Sequence, residues 1–380
     1  MGDSRIVVSL VVAAAAAVII LFYIANRSTN GDLRENLPTL LDQGSEKNIT
    51  PVFTSCSELW EMQIRRNLVF VVGLGGSGSR GVASFLHDSG LFVGRVNSIT
   101  YDTITNHTEM NRLYGKFLNL TQGHVDIGPE LQQQMAEEVG SGIRSELEKS
   151  VFCRLRKELQ QYESSSRAAS TQATAVNCGP APWKGFSVKN CRNGLILSVL
   201  HVLFPDTLRV VHLVRDGRNM ALSKNRHQLR SFGDVVLGND VAVDKRDQCL
   251  RQFAYWSKLM KEIRSYGERV LLPTKRYFLL HVEDFVTNAS TQLDLLRFVG
   301  APRSGSGEIL ASNGVLNPRQ IRYIADFYDE EKEVAEHMTA AKWLESRESC
   351  IKTILADTES VKTLEFFGYK NSSSQQRKQN

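Results

Sequence analysis

The sequence lacks the features that mark several common classes of protein. Its six cysteines form neither a C-x-x-C pair nor a zinc-binding spacing, and no cluster of metal ligands is visible, so no metal ion is expected. The chain shows no internal repeat. Its formal net charge is only +5 and its pI is near 8.8. Such a balance suits an anionic ligand but is too weak to predict binding to nucleic acid.

A long apolar run near the start of the chain predicts a membrane anchor. Residues 6–25 (IVVSLVVAAAAAVIILFYIA) carry no charge and are long enough to span a bilayer once as a helix. A cleavable signal peptide has a shorter apolar core, which favours a retained anchor. Glycosylation triplets beyond the run favour a short cytosolic tail and a lumenal body. They begin at Asn48, Asn106, Asn119, Asn288 and Asn371.

These features divide the chain into segments with different roles. In order, they are a cytosolic tail (1–5), a transmembrane signal anchor (6–25), a polar stem (26–66), a lumenal domain (67–370) and a disordered tail (371–380). A lumenal body permits disulfides among the six cysteines, although buried free thiols would explain them equally well.

Short apolar strands alternate with helical patterns throughout the lumenal domain, which predicts an α/β fold with a parallel sheet covered on both faces. The strands are predicted at 68–72, 91–94, 184–190, 209–214 and 276–282. The helices are predicted near 79–89, 192–204, 217–230, 246–267 and 290–299. A further helical pattern at 129–162, rich in Gln, Glu and Arg, is expected to be a solvated insertion.

The turn after the first strand is suited to binding a phosphate. Its glycines allow the backbone to turn tightly and approach an anion, and the next helix directs N–H groups to the same point. They are Gly73, Gly75, Gly76 and Gly78. The spacing also fits the dinucleotide pattern G-x-G-x-x-G. It fits a nucleotide-kinase loop only in part, because Ser79 and Arg80 stand where that loop has Lys-Ser/Thr. A structural turn without a ligand is the plain alternative.

A second segment, RVVHLVRDGRNMALS (209–223), offers groups for another phosphate. Arg215 lies at a predicted strand end and Ser223 in the next predicted helix, so a guanidinium and a hydroxyl can converge on one anion. Asp216 is expected to orient the turn or an arginine. A simple helix cap is the alternative. A cofactor with phosphates at both ends would need both segments.

Four motifs in this order resemble the sulfotransferase family, namely GGSGSR (75–80), SVKN (187–190), FPD (204–206) and VRDGRNMALS (214–223). HVEDF (281–285) is similar to a later strand motif of that family. The likeness covers roughly residues 67–300 and is greatest to membrane-bound Golgi and bacterial members. It implies a P-loop-type three-layer sandwich with a central, mainly parallel sheet, in a single-pass type II protein of the Golgi membrane.

The resemblance also implies the co-substrate 3′-phosphoadenosine 5′-phosphosulfate, without a metal. Its 5′-phosphosulfate would be held by Gly75, Gly76, Ser77, Gly78, Ser79 and Arg80. Arg215 and Ser223 would hold its 3′-phosphate, with Arg226 or His227 assisting.

The first loop departs from the usual family pattern, P-[KR]-S-G-[ST]. Gly76 stands where the family has the Lys or Arg that contacts the bridging oxygen and the sulfonate. Three outcomes are open. Arg80 reaches back from the helix, Lys189 supplies the charge, or the protein binds the cofactor without catalysing transfer.

For the base, Golgi relatives often use an acidic residue shortly past this loop, where Asp102 lies; the alternatives are His107, Glu109 and His124.

The predicted reaction is in-line transfer of a sulfonate to a hydroxyl of a glycan or glycoprotein. Fixed cations and N–H donors would stabilise the charge that develops on the leaving phosphate. Protein-tyrosine sulfation is the alternative within the class, and a homodimer is left open. A P-loop nucleotide kinase needs a loop lysine and a magnesium-holding hydroxyl that Ser79-Arg80 supply poorly. A dehydrogenase lacks an acidic partner for the ribose. An inactive lumenal binding protein is the third class.

Overall fold

A computed structural model of the chain describes residues 55–93, 107–168, 178, 181–238, 247–301 and 340–369. The predicted anchor and cytosolic tail, residues 26–54 of the predicted stem, the terminal tail and Asp102 lie outside these ranges. Within them, no helix has both the length and the apolar character needed to cross a membrane.

The described elements alternate between strands and helices over most of the chain. The strands are β1 (Leu68–Val72), β2 (Leu91–Phe92), β3 (Gly185–Lys189), β4 (Leu208–Val214) and β5 (Tyr277–His281). The helices are α1 (Cys56–Arg65), α2 (Ser79–Asp88), α3 (His107–Leu120), α4 (Pro129–Leu147), α5 (Cys153–Ala168), α6 (Leu197–Leu203), α7 (Gly217–Leu222), α8 (His227–Leu237), α9 (Gln248–Tyr266), α10 (Val282–Thr287), α11 (Ala289–Phe298), α12 (Ala340–Ala356) and α13 (Thr358–Phe366). A π-helical segment (Glu148–Phe152) joins α4 to α5, and a 3-10 helix (Cys191–Ile196) precedes α6.

The five strands form one sheet in the order β2-β3-β1-β4-β5, and every pairing is parallel. The central strand β1 reads LVFVV and is buried throughout, as expected of a parallel strand covered on both faces. Its alternate side chains enter different cores. Leu68, Phe70 and Val72 belong to the larger core, and Val69 and Val71 to the smaller one. The predicted α/β fold with a central parallel sheet is therefore confirmed.

The predicted helical pattern at 129–162 forms α4, the π-helical segment and most of α5, but its expected exposure is wrong. Met135, Val139, Ile143 and Leu147 are at most 1% exposed and belong to the larger core. They recur every fourth residue and so form one apolar stripe on the helix. The many Gln, Glu and Arg residues around this stripe concealed it in the sequence.

Helix α1 lies inside the segment that was predicted to be a polar stem. Trp60 and Ile64 are 4% and 1% exposed and belong to the larger core. Its first residue, Cys56, forms a disulfide with Cys178. The folded part of the chain therefore includes residues that precede the predicted domain boundary at 67.

The predicted helix at 217–230 is two helices. Helix α7 ends at Leu222, and Ser223 follows with extended backbone angles (φ −63°, ψ 136°). The Ser223 Oγ accepts a hydrogen bond from the N–H of Asn225 at 3.1 Å. Such local bonds from a serine hydroxyl to the backbone compete with the helical pattern. Ser223 therefore lies in a turn between α7 and α8 and not within a helix.

Candidate functional site

The glycine loop joins the central strand β1 to α2 at the carboxyl edge of the sheet. Gly76 and Gly78 have positive φ angles of 99° and 82°, a backbone region that favours glycine. Gly78 is also the N-cap of α2, and no side chain among the described residues forms a cap bond there. The N-terminus of α2 is thus suited to an anion, because its first N–H groups have no partner within the helix.

The loop buries a hydroxyl that has no hydrogen-bond partner. Ser77 is 1% exposed, and its Oγ bonds to no other group in the part of the chain that the structure describes. Leaving a buried hydroxyl unpaired is unfavourable. A phosphate or sulfonate oxygen in the loop would satisfy it, so the residues present fit an anionic group.

Neighbouring side chains leave no room for larger residues in the loop. A Cβ atom on Gly75 would lie 2.9 Å from the Oδ1 of Asn225. A Cβ atom on Gly78 would lie 2.7 Å from the Cγ2 of Val282. The loop is therefore enclosed by the turn after α7 and by the start of α10, and a side chain at Gly78 would also strain its left-handed backbone.

Arg215 follows β4 directly and reaches the glycine loop. It is 9% exposed, and its Nη1 donates to the carbonyl oxygen of Gly76 at 2.9 Å. Strands β1 and β4 are neighbours in the sheet, so their carboxyl ends lie together. The two segments in which the sequence predicted phosphate-binding groups are thus in direct contact.

Ser223 completes this side of the site from the turn after α7. Because its Oγ accepts from the Asn225 N–H, its own proton remains available to donate to an anion. Asn225 also touches the loop at Gly75. Arg226, which was predicted to assist, follows in sequence, and its Nε is buried without a hydrogen-bond partner among the described residues. Burial lowers the pKa of Arg226.

Asp216 orients the turn after β4, as predicted. Its Oδ1 accepts from the N–H of Arg218 at 2.8 Å, which caps α7, and its carboxylate pairs with the Arg218 guanidinium. The hydrogen bond to Asp216 raises the pKa of Arg218. The N–H of Asp216 donates to Glu283 Oε1 at 3.0 Å. Side chains on both sides therefore fix the backbone next to Arg215.

Lys189 and Arg80, the two predicted cations, belong to elements on either side of the loop. Lys189 ends β3, is 4% exposed, and pairs in register with Val71 of β1. Arg80 is the second residue of α2 and is half-buried. The Cys191 Sγ lies 3.1 Å from the Ser79 Oγ, which brings the turn after β3 against the first turn of α2.

The candidate bases differ in what the structure says of them. Asp102 lies outside the described residues, and so does the side chain of His107. Glu109 pairs with Arg112 at 2.6 Å, and this hydrogen bond lowers the pKa of Glu109, which disfavours it as a proton acceptor. The side chain of His124 is 55% exposed and bonds to Glu262 through Nδ1. The described residues thus disfavour Glu109 and leave Asp102 and His107 untested.

Two residues that help to shape the site had no predicted role. Asn225 stands two positions after Ser223, and the polar run Ser-Lys-Asn was a signal for a turn. Glu283 lies in the HVEDF motif, but its bond to Asp216 depends on the pairing of β4 with β5. No local pattern in the sequence reveals that bond.

Together these groups provide donors that suit an anionic ligand. They are the α2 N-terminus and the Ser77 hydroxyl in the first segment, and Arg215 and the Ser223 hydroxyl in the second. Within the described ranges, no group of three or more His, Cys, Asp or Glu side chains could hold a metal ion.

Comparison with known proteins identifies the family to which the chain belongs. No curated protein matches the chain. Among solved structures, the sulfotransferase domain of the Synechococcus PCC 7002 olefin synthase is similar, with 16% identity, a TM-score of 0.32, and coverage of 62% of this chain and 73% of that chain. A profile of the sulfotransferase family matches residues 69–304, which is more than half of the chain. The chain therefore belongs to the sulfotransferase family.

Proposed function

We propose that the protein transfers a sulfonate group from 3′-phosphoadenosine 5′-phosphosulfate to a hydroxyl of a glycan. Membership of the family supplies the reaction class. The main support for this co-substrate is the contact between Arg215 and the carbonyl of Gly76. It joins the glycine loop and the segment after β4 into one site. A nucleoside with phosphates at both ends matches such a site.

Different residues of the site bind the 5′ and the 3′ end of the co-substrate. The backbone of residues 75–80 and the unpaired hydroxyl of Ser77 hold the 5′ end. Arg215 and Ser223 hold the 3′-phosphate, the one with a charged guanidinium and the other with a hydroxyl proton. When bound, the co-substrate supplies an activated sulfonate. The protein fixes that group in position and surrounds it with N–H donors.

We assign the role of the lysine or arginine that the family usually has in its first loop to two cations, the buried Lys189 and the half-buried Arg80. Lys189 ends the strand next to β1, and Arg80 stands in the first turn of α2. Positive charge at these positions stabilises the developing charge on the leaving phosphate without a metal ion. Lys189 is our preferred candidate because it is nearly fully buried, where a fixed charge is less screened by water.

The acceptor oxygen must lose a proton, and Asp102 is proposed as the base. The segment 94–106 that contains Asp102 precedes α3. Helix α3 contacts the turn after Lys189, since the Arg192 Nη1 donates to the Asn111 Oδ1 at 2.7 Å. This contact places the first turns of α3 beside the turn that follows Lys189.

We propose a Golgi location with the folded part in the lumen. The two disulfides are typical of an oxidising compartment. Asn119 and Asn288, the two sequon asparagines that the structure describes, are both exposed. The cap bond of Asn288 uses its Oδ1, so a glycan on its Nδ2 is compatible with the helix. Residues 6–25 would anchor the protein in the membrane.

The first prediction concerns Arg215. The purified protein is expected to bind 3′-phosphoadenosine 5′-phosphate, and Arg215→Ala is expected to weaken binding at least 30-fold, because it removes a buried charge-assisted donor. Titration calorimetry measures the affinity. Transfer of labelled sulfonate to a panel of glycans and tyrosine peptides then identifies the acceptor.

The matched control is Arg297→Ala, since the Arg297 side chain is 61% exposed and pairs only at the surface with Asp294 among the described residues. It should bind as the wild type does. Equal binding by Arg215→Ala and wild type would contradict the assigned site. Binding without transfer to any acceptor would favour a non-catalytic lumenal protein, and transfer to peptides alone would favour tyrosine sulfation.

A further inference from the structure

The last described helices lie outside the part of the chain that matches the family, which ends at residue 304. Helix α12 packs against α9 and α7. A disulfide between Cys249, in the first turn of α9, and Cys350, in α12, links the two helices covalently. Helix α7 begins in the turn that carries Arg215. The C-terminal segment, defined here as residues 340–369, therefore packs beside the proposed 3′-phosphate site.

A chain of hydrogen bonds connects the end of this segment to that turn. The hydroxyl of Tyr369 donates to Glu283 Oε2 at 3.0 Å. The other carboxylate oxygen, Oε1, accepts from the N–H of Asp216 at 3.0 Å. Asp216 is the residue after Arg215. One carboxylate thus holds the C-terminal segment on one side and the backbone next to Arg215 on the other.

The hydroxyl of Tyr369 is well suited to act as the donor in this chain. Burial and the adjacent Glu283 carboxylate raise the pKa of Tyr369, so it keeps its proton. The His281 Nδ1 lies 3.2 Å from the same hydroxyl oxygen, which accepts from it. Burial lowers the pKa of His281 and favours its neutral form. The Tyr369 proton is therefore directed at Glu283.

A second, apolar connection reaches the same turn. The ring of Phe367 packs on Trp256 with centroids 5.4 Å apart. The Trp256 ring in turn lies against Gly217, where a Cβ atom would be only 2.4 Å from Cζ3. Gly217 follows Asp216. The two connections thus hold the backbone at consecutive residues next to Arg215.

We propose that Tyr369 and Glu283 are positioning residues that set the direction of the Arg215 guanidinium toward the 3′-phosphate. This inference rests on the proposed function, because it needs a phosphate at that position. Without the Tyr369 hydroxyl, Glu283 loses one of the two donors that fix it. Its hold on the Asp216 N–H loosens, and Arg215 gains freedom that ligand binding must remove. The loop at residues 75–80 keeps its other neighbours, Asn225 and Val282.

The test compares two ligands that differ only in the 3′-phosphate. Tyr369→Phe keeps the ring and removes the hydroxyl. It is expected to raise the Kd for 3′-phosphoadenosine 5′-phosphate about tenfold, the effect of losing one hydrogen bond to a charged group. The Kd for adenosine 5′-phosphate should change less than about twofold, because that ligand lacks the phosphate that Arg215 is proposed to hold. Tyr162→Phe, at an exposed tyrosine of α5, is the matched control.

Each outcome bears on a different claim. If wild-type protein does not bind 3′-phosphoadenosine 5′-phosphate, both the proposed function and this inference are wrong. If wild type binds and Tyr369→Phe binds equally well, only the inference is overturned. Equal weakening for both ligands would show a general packing role and would also overturn it. A melting curve of Tyr369→Phe checks that the variant is folded, and Glu283→Gln should give the same selective loss.

Discussion

At the scale of single residues, the site combines groups that are unfavourable in a folded protein without a ligand. Ser77 has a buried hydroxyl with no partner among the described residues. Arg215 and Lys189 are charged and at most 9% exposed. A bound anion would give the Ser77 hydroxyl a hydrogen-bond partner and would offset the cost of burying the charges of Arg215 and Lys189. The ligand should therefore stabilise the fold in proportion to its affinity.

A change at Gly78 tests the loop at this scale. Gly78→Ala is expected to lower the free energy of unfolding by about 1–2 kcal/mol, because alanine disfavours the left-handed backbone. It should also weaken nucleotide binding at least tenfold, since the new Cβ would lie 2.7 Å from Val282 and displace the loop. Thermal unfolding with and without ligand measures both effects.

Gly238→Ala provides the comparison. Gly238 also has a positive φ, 62°, but a Cβ atom there would meet nothing within 4 Å among the described residues. This variant should lose stability and keep its affinity. If Gly78→Ala binds nucleotide as tightly as Gly238→Ala does, the loop does not hold the ligand.

At the scale of elements, β4 carries a buried histidine at the centre of the sheet. His212 is fully buried, and its Nδ1 lies 2.7 Å from the hydroxyl of Tyr277 on β5. Loss of hydration is the main cause that lowers the pKa of His212 to about 3. The residue therefore stays neutral in the folded protein down to about pH 3.

This histidine predicts an acid-dependent loss of stability. The unfolded His212 takes up a proton below its ordinary pKa of 6.5, whereas the folded one does not until about pH 3. Its contribution is complete above pH 6.5 and is lost as the pH falls, at up to about 1.4 kcal/mol per pH unit. His212→Gln should therefore reduce the pH dependence of unfolding between pH 6.5 and 4.5, as measured by urea titration.

The exposed His124, whose side chain is 55% accessible, gives a control as His124→Gln. In that variant, the free energy of unfolding should depend on pH as strongly as in the wild type. Burial also lowers the pKa values of His201 and His281. These two residues will therefore preserve part of the pH dependence of unfolding in every variant. An unchanged slope in His212→Gln would contradict the assigned neutral state.

The elements also show which parts of the fold and of the site could be predicted from the sequence alone. Strands β1, β4 and β5 were predicted to within a residue at each end, because buried parallel strands are short apolar runs bounded by polar turns. The break after Leu222 was missed, because a helical pattern of apolar residues continues through it. Arg215 and Ser223 could be named from their motif. Tyr369 could not, because only the folded chain brings it to Glu283.

At the scale of the whole molecule, two long-range disulfides hold segments that lie outside the alternating strands and helices. They join residues separated by 122 and 101 positions in the sequence. Cross-links over such long loops stabilise a fold by about 4–5 kcal/mol each in the chain-entropy model. They also require an oxidising compartment during folding. The location of the protein and its stability are therefore linked.

Expression of the full chain in the secretory pathway tests this link. Removal of N-glycans should increase its electrophoretic mobility, and Asn119→Gln and Asn288→Gln should each remove one step of the shift, because both asparagines are exposed. Cys249→Ser should lower the melting temperature, whereas Cys153→Ser, at a free cysteine, should not. Absence of any glycan shift would contradict the lumenal location.

The order of the strands also has a consequence for synthesis on the ribosome. Strand β1 emerges early, yet its partners β3 and β4 are at 185–189 and 208–214. A nascent chain that ends before residue 208 contains the entire glycine loop without Arg215. Such late pairing slows folding and leaves an apolar strand without a neighbour for much of translation. We expect the proposed nucleotide to assist folding only after the turn that carries Arg215 and Ser223 has been synthesised, and chaperones to cover β1 until then.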